Sequence, residues 1–183
     1  MKNTEVKLVP LTADDREQFI LDNQWAFKYG AMMEFGERDD HIDGDGEIIS
    51  RQTIERCIDA PENESYRIVY DGRRVGGLIL KIDKQTHHNH LEILFVSPEE
   101  HSKGIGYGAW CAVEALHPET RVWETCTPYF EKRNIHFYVN KCGFHIDEFW
   151  CEYFRPAHEE TEEEAQEPGE GPDEMFRFVK VMP

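Results

Sequence analysis

Lys103, Gly104, Gly106 and Gly108 place one cation and three alternate glycines within six residues, directly after His101-Ser102. Such a run suits a diphosphate. Glycine lets an anion approach the backbone because no Cβ stands in the way. The free N–H groups of a following helix add partial positive charge. That helix is predicted from Ile105, Ala109, Ala112, Val113 and Leu116, which recur at three and four. Before the glycines, Leu91-Glu92-Ile93-Leu94-Phe95-Val96 is apolar and β-branched enough for a buried strand, and Pro98 ends it by removing a backbone donor. Groups able to carry a proton lie around this strand, turn and helix. His90 and Glu92 stand two apart and so share a face of the strand, which Leu94 and Val96 continue toward the turn. A carboxylate or imidazole there can accept a proton, directly or through water. Glu124, near the end of the next apolar run, is a third candidate.

Three kinds of phosphate-binding turn compete for this pattern. A nucleoside-triphosphate loop closes on Gly-Lys-Ser/Thr, which is missing here. A dinucleotide fingerprint spells Gly-x-Gly-x-x-Gly. Gly108 comes one residue early for it, although Glu124 sits about twenty residues on, where a ribose-binding acid belongs. That fingerprint also opens a parallel sheet, and the strands before this turn read as antiparallel. The third is Val96-x-Pro98 followed by Lys103-Gly104-Ile105-Gly106, which resembles motif A of the GNAT superfamily of acyl-CoA-dependent N-acyltransferases, with His101 where the family has Arg or Gln. A second segment, Asn134-Ile135-His136-Phe137-Tyr138-Val139-Asn140-Lys141-Cys142-Gly143-Phe144, is similar to the family's Asn…Tyr…Gly-Phe helix with its glycine C-cap. Tyr138 lies one residue further from Gly143-Phe144 than in the commonest spelling. The two motifs come in the family's order, and the resemblance spans roughly Val6 to Val181.

The resemblance implies an α/β (α+β) fold: a mixed, mostly antiparallel twisted sheet of six to seven strands with helices on both faces. It implies transfer of an acetyl group from acetyl-CoA, a co-substrate, to a primary amine by direct attack in a ternary complex. The fourth and fifth strands would splay, and pantetheine would pair with the fourth near Leu94, Phe95 and Val96. The diphosphate would lie along His101, Ser102, Lys103, Gly104, Ile105, Gly106, Tyr107 and Gly108. Asn134, Phe137 and Lys141 would add contacts from the second motif, although the family's CoA-binding asparagine falls where this chain has Glu131. Tyr138 resembles the family tyrosine that protonates the leaving thiolate. Tyr129 is its fallback, and packing beside Phe137 is the competing role. The base is left open among Glu92, His90, Glu124 and water. The acceptor would be a small-molecule or peptide amine, and a homodimer is compatible with the family. The rival from another class is a non-catalytic acyl-CoA-binding or partner-binding protein that keeps the cradle.

Two clusters mimic metal sites. His87-His88-x-His90 offers three imidazoles, but on a turn they do not converge tetrahedrally and no Cys or carboxylate follows at matching spacing. His41-x-Asp43-x-Asp45-Gly46-x-Ile48 looks like a calcium loop, yet its first ligand is His and its twelfth position is Gln52, not a bidentate Glu. No metal is expected at either. An acidic, Gly-containing loop able to attract a cationic acceptor is the plainer reading of the second.

The elements that must position these groups follow in order. Val6–Val9 is a short strand. Thr12 caps a helix with Asp14 and Asp15 in its first turn, mostly buried through Phe19, Ile20, Trp25 and Phe27. Gly30 to Glu47 reads as irregular, and a second helix runs through Ile49, Thr53, Ile54, Cys57 and Ile58. In the resembling family these two helices line the acceptor pocket. Asp71-Gly72 turns between strands Tyr66–Tyr70 and Val75–Ile82. Lys84 to Asn89 leads into the central strand near His90. Arg121–Cys126 is a fifth strand, parallel to the fourth because a helix joins them. A helix over Phe130–Lys141 and strands over Phe144–Phe154 and Met175–Val181 complete the order. The acidic, Pro/Gly-containing 156–174 stretch is expected to be a disordered loop.

A chain of 183 residues suits one domain, 1–183, with a real core. At 39% hydrophobic and 12% aromatic it is neither disordered nor fibrous. A net charge of −17 argues against nucleic acid and favours cationic partners, though much of the excess lies between Glu159 and Glu174. No apolar run reaches a membrane span, so no membrane role is expected. Met1–Glu5 lacks the apolar core of a secretion signal. The five cysteines contain no Cys-x-x-Cys. The expectation is a cytoplasmic protein with reduced thiols.

Overall fold

The computed structural model describes residues 5–35, 47–151, 153–154 and 174–183. The calcium-like segment up to Gly46 and the acidic stretch up to Asp173 fall outside them. The elements are β1 (Lys7–Pro10), α1 (Arg16–Phe35), α2 (Arg51–Asp59), β2 (Asn63–Tyr70), β3 (Arg73–Lys81), β4 (His88–Val96), α3 (Ile105–Leu116), β5 (Val122–Pro128), α4 (Lys132–His136), β6 (His145–Trp150) and β7 (Met175–Val181). One seven-stranded sheet runs β1-β2-β3-β4-β5-β7-β6. β4 and β5 are parallel, and every other neighbouring pair is antiparallel. This is the mixed, mostly antiparallel sheet that the resemblance implies. Among the described residues no helix is long and apolar enough to cross a membrane.

Two cores form on opposite faces of the sheet. Under α3, Leu78, Leu80, Leu91, Trp110, Trp123 and Phe178 pack together. Under α1 and α2, Phe19, Ile20, Ile54, Ile79, Ile93 and Phe95 do the same. Asp71 (φ 51) and Gly72 (φ 73) make the tight turn between β2 and β3, both in the left-handed region that a two-residue hairpin needs.

Several local expectations are corrected. α1 continues through Gly30 to Phe35, because one glycine lowers helix propensity by only about 1 kcal/mol. Trp25 is half exposed, since α1 buries one face through Phe19 and Ile20. Thr12 makes no side-chain cap bond, and a short 3-10 turn over Ala13–Asp15 precedes α1. Asp15 turns inward and binds Arg67 at 2.7 and 3.1 Å, while Asp22 takes the other guanidinium nitrogen at 2.8 Å. Both Asp15 and Arg67 are buried, and each keeps a second partner, Arg74 at 2.9 Å for Asp15 and Asp22 for Arg67, so the buried charges form a network rather than one isolated pair. β4 begins at His88, two residues earlier than expected, because His87 (φ 58) closes the preceding turn. Finally, α4 passes into a π-helical turn over Phe137–Cys142, capped by Gly143 at φ 79. A π turn holds one more residue than an α turn. It therefore absorbs the extra residue between Tyr138 and Gly143.

Candidate functional site

β4 is the axis of the site. It pairs with β5 only through His88↔Val122, Asn89↔Trp123 and His90↔Glu124. On its other edge Ile79 pairs with Ile93 while Leu80 pairs with Leu91. Glu92 is thus an extra residue, a β-bulge, and bulges bend a strand and shift its alternation. The shift is visible in the packing. Leu91, Leu94 and Val96 belong to the core under α3, whereas Ile93 and Phe95 belong to the core under α1 and α2. Strict alternation placed His90, Glu92, Leu94 and Val96 on one face. The bulge overturns this: Leu94 and Val96 lie on the α3 face, opposite His90.

Beyond His90 the two parallel strands diverge. The Ser97 amide bonds to Val75 O at 2.7 Å, so by alternation the peptide groups of Leu94 and Val96 turn away from β3, into the gap. Phe95, expected to pair with pantetheine, spends its own peptide groups on β3 instead. Two carbonyls at the ends of the gap have partners. Leu91 O accepts the Thr125 hydroxyl at 2.9 Å, and Val96 O meets His101 Nε2 at 2.9 Å.

The glycine turn stands at the wide end of this gap. Ser102 (φ 66) and Gly104 (φ 74) both adopt left-handed backbone, which swings the chain into α3. The first helical bond runs from the Gly108 amide to Gly104 O at 2.9 Å. The amides of Ile105, Gly106 and Tyr107 precede it and have no acceptor within the helix. A Cβ at Gly104 would meet nothing within 4 Å, so the turn is open to a ligand. A Cβ at Gly106 would lie 3.4 Å from the Phe137 ring, which makes that ring a wall of the cradle. Gly108 answers a different need: its Cβ would stand 2.8 Å from Val6 Cγ2, so it lets α3 pack on the chain entering β1.

The cations are arranged otherwise than the sequence suggested. Lys103 Nζ bonds Glu100 Oε2 at 2.7 Å, and Arg73 holds Oε1 of the same carboxylate at 2.7 Å. These bonds, Lys103 first, keep Glu100 below the usual carboxylate range. His101 accepts a bond from Arg133 Nη1 on Nδ1 at 2.9 Å, so its proton belongs on Nε2, facing Val96 O. Burial and then the Arg133 charge push His101 below its ordinary pKa. Arg133 is the residue that sequence reading missed. Its only signal was a cation adjoining Asn134 at the head of the second motif. Asn134 itself makes long bonds, 3.4 Å to Thr127 and 3.4 Å to Glu131. Ser102, Tyr107 and Lys141 are exposed.

The proton-carrying groups separate into distinct environments. Tyr138 is buried against Phe137, Phe144 and Phe178. Burial raises its pKa, while a hydrogen bond with Thr125 opposes the rise. Thr125 is the residue that caps Leu91 O, so the phenol reaches the narrow end of the gap. Tyr129, the fallback, is half exposed against Phe130 and Phe149. Glu92 is open to solvent, yet protein crowds it enough that burial raises its pKa. Its charge is felt by Cys57 of α2, which places it on the α1/α2 side. Burial lowers His90, with Glu124 opposing. Glu124 is buried. Its burial favours the neutral acid, but Arg177 bonds at 2.5 and 3.1 Å, with His90 and His88, hold it below the usual range. That pairing argues against Glu124 as a base.

The site is thus a bulged central strand parting from its parallel neighbour, with a glycine turn and a helix N-terminus at the opening. Residues 24–144 match the model of the acetyltransferase (GNAT) family, and the chain belongs to that family. It is 46% identical over 169 residues to the uncharacterized protein YrkN of Bacillus subtilis (strain 168), covering 92% of this chain and 89% of that one. Among solved structures it is similar to an acetyltransferase from Thermus thermophilus, at 13% identity and a TM-score of 0.66, covering 100% of both chains. It is also similar to spermidine N-acetyltransferase from Vibrio cholerae in complex with CoA and spermine, at 12% identity and a TM-score of 0.65, covering 97% of this chain and 95% of that one. These two show the shared fold.

Proposed function

We propose that this chain, acting as a single cytoplasmic domain, is an N-acetyltransferase that moves the acetyl group of acetyl-CoA to a primary amine of a cationic small molecule or peptide. The observation that carries the reading is the gap beside Leu94 and Val96 opening onto the amides of Ile105, Gly106 and Tyr107. Backbone donors on an edge strand can hold an amide-bearing arm, and a helix N-terminus can hold a diphosphate. Arg133, held in place by His101, supplies positive charge beside that turn. Acetyl-CoA supplies the activated acyl thioester.

The chain's own groups divide the remaining work. Glu92 takes a proton from the acceptor ammonium, directly or through a water, since the bulge sets it on the α1/α2 side beside the divergence. A peptide N–H at Leu94 or Val96 donates to the acyl oxygen as negative charge grows there. As the new C–N bond forms and the C–S bond breaks, the Tyr138 hydroxyl gives its proton to the sulfur. The raised pKa of Tyr138 keeps that proton in place at neutral pH. The acidic chain, at −17, concentrates cationic acceptors around it.

The test is thiol release from acetyl-CoA by the purified chain across a panel of amines. Amine-dependent release is expected, with Glu92→Gln lowering kcat by about 100-fold or more and leaving CoA affinity nearly unchanged. Tight CoA binding without amine-dependent release would favour the non-catalytic alternative.

A further inference from the structure

His88, His90 and Glu124 come together where β4 and β5 are last paired. The two histidines are two apart on a strand and so face the same way. Glu124 is the register partner of His90 on the parallel neighbour, and this supplies the carboxylate that sequence spacing could not reveal. One ligand atom from each of the three lies within 4.8 Å of the others. The rings of His88 and His90 are nearly parallel, 16° apart with centroids at 5.8 Å. His90 Nδ1 stands 3.8 Å from Glu124 Oε2. His88 Nε2 is a buried atom that makes no hydrogen bond, although Glu124 Oε1 is only 2.5 Å away. A buried ring nitrogen against a carboxylate without a bond of good geometry needs a partner.

We propose that His88, His90 and Glu124 bind one divalent first-row transition ion, of the kind that Zn2+ represents. Two imidazoles and one carboxylate are a zinc-type donor set that leaves a further coordination position open. Around an ion with bonds of about 2.1 Å, ligand atoms stand about 3.4 Å apart. The close pair, at 2.5 Å, therefore opens by about 1 Å, and the pair at 3.8 Å closes by about 0.4 Å. Arg177 does not block the set. It uses one lone pair on each Glu124 oxygen, and a carboxylate offers about four sites. It also orients Glu124, as outer hydrogen bonds do for metal ligands. The surrounding charge favours a cation: Arg177 faces three carboxylates, Glu124, Asp147 and Glu148. Lys81, the other nearby cation, pairs with Glu62 at 3.7 Å. The bound ion would tie β4 to β5 at the final rung before they part. Imidazole donors disfavour Mg2+ and Ca2+.

The experiment uses the full chain, free of any histidine tag and stripped with a chelator. Zn2+ is titrated in competition with a chromogenic chelator, and Co2+ binding is followed by its visible ligand-field spectrum. One ion per chain is expected, with affinity at least about 100-fold weaker in His88→Ala/His90→Ala. The same variant should lose the Co2+ spectrum while keeping the wild-type circular dichroism. His87→Ala, which removes the neighbouring imidazole, should bind as the wild type does. Glu124→Gln should also weaken binding, and the histidine pair decides if that variant fails to fold. Absence of stoichiometric binding, unchanged affinity in the double variant, or equal loss in His87→Ala would overturn the proposal. None of these outcomes depends on acetyl transfer, so the site and the enzyme activity stand or fall separately.

Discussion

At the scale of single residues, environment sorts groups that look alike in the sequence. Glu92 and Glu124 are both strand carboxylates, yet burial raises one against the opposing charge of Lys81, and Arg177 holds the other down against its burial. A base must be free to accept a proton, so Glu92 is the better placed. Tyr138 poses a sharper question, because it is both a core aromatic and a donor at the narrow end of the gap. Tyr138→Phe keeps the ring and its packing. Acid catalysis predicts a fall in kcat of about 100-fold with CoA affinity retained, measured by steady-state kinetics; an unchanged kcat would assign Tyr138 to packing alone. His101 adds a pH signature. Its folded pKa lies below its ordinary value of about 6.5. As pH falls through that value the unfolded chain takes a proton that the folded chain resists, so stability drops. Melting temperature should therefore fall more steeply between about pH 7 and pH 5.5 in the wild type than in His101→Gln. The glycines, the strand and the second motif were legible as residues. Arg133 was not, because nothing in one sequence says that a helix 32 residues on meets His101.

At the scale of elements, two insertions of one residue set the geometry. The bulge at Glu92 parts β4 from β5, and the π turn at Phe137–Cys142 keeps Tyr138 aimed into the sheet despite the longer spacing. Neither has a propensity signature, since apolar patterns show where strands and helices are but not where one gains a residue. For that reason the succession of strands along the chain was readable, while the insertion of β7 between β5 and β6 was not and the face of Leu94 and Val96 was misassigned. The same limit applies to Gly108, grouped with the cradle by its spacing but required by Val6. Gly108→Ala should destabilise the fold by about 1–3 kcal/mol through overpacking, seen as a lower melting temperature. CoA affinity should change by no more than about threefold, roughly 0.7 kcal/mol. A large loss of CoA affinity without loss of stability would return Gly108 to the cradle.

At the scale of the whole molecule, the sheet acts as a partition that opens along one seam. Two cores clamp its faces, and β4 belongs to both. Rigidity there fixes the distance from the glycine turn to the parting of the strands, which a long, thin cofactor must span. His88, His90 and Glu124 sit at the closed end of that seam and Gly104 at its open end. The central claim is that coenzyme A occupies the seam with its diphosphate on the head of α3. Backbone amide resonances of the isotope-labelled protein, followed through a CoA titration, test it most directly. The predicted result is that the largest saturable shifts fall on Leu94, Val96, Gly104, Ile105, Gly106 and Tyr107. Shifts confined to other surfaces, or none at saturating CoA, would contradict it.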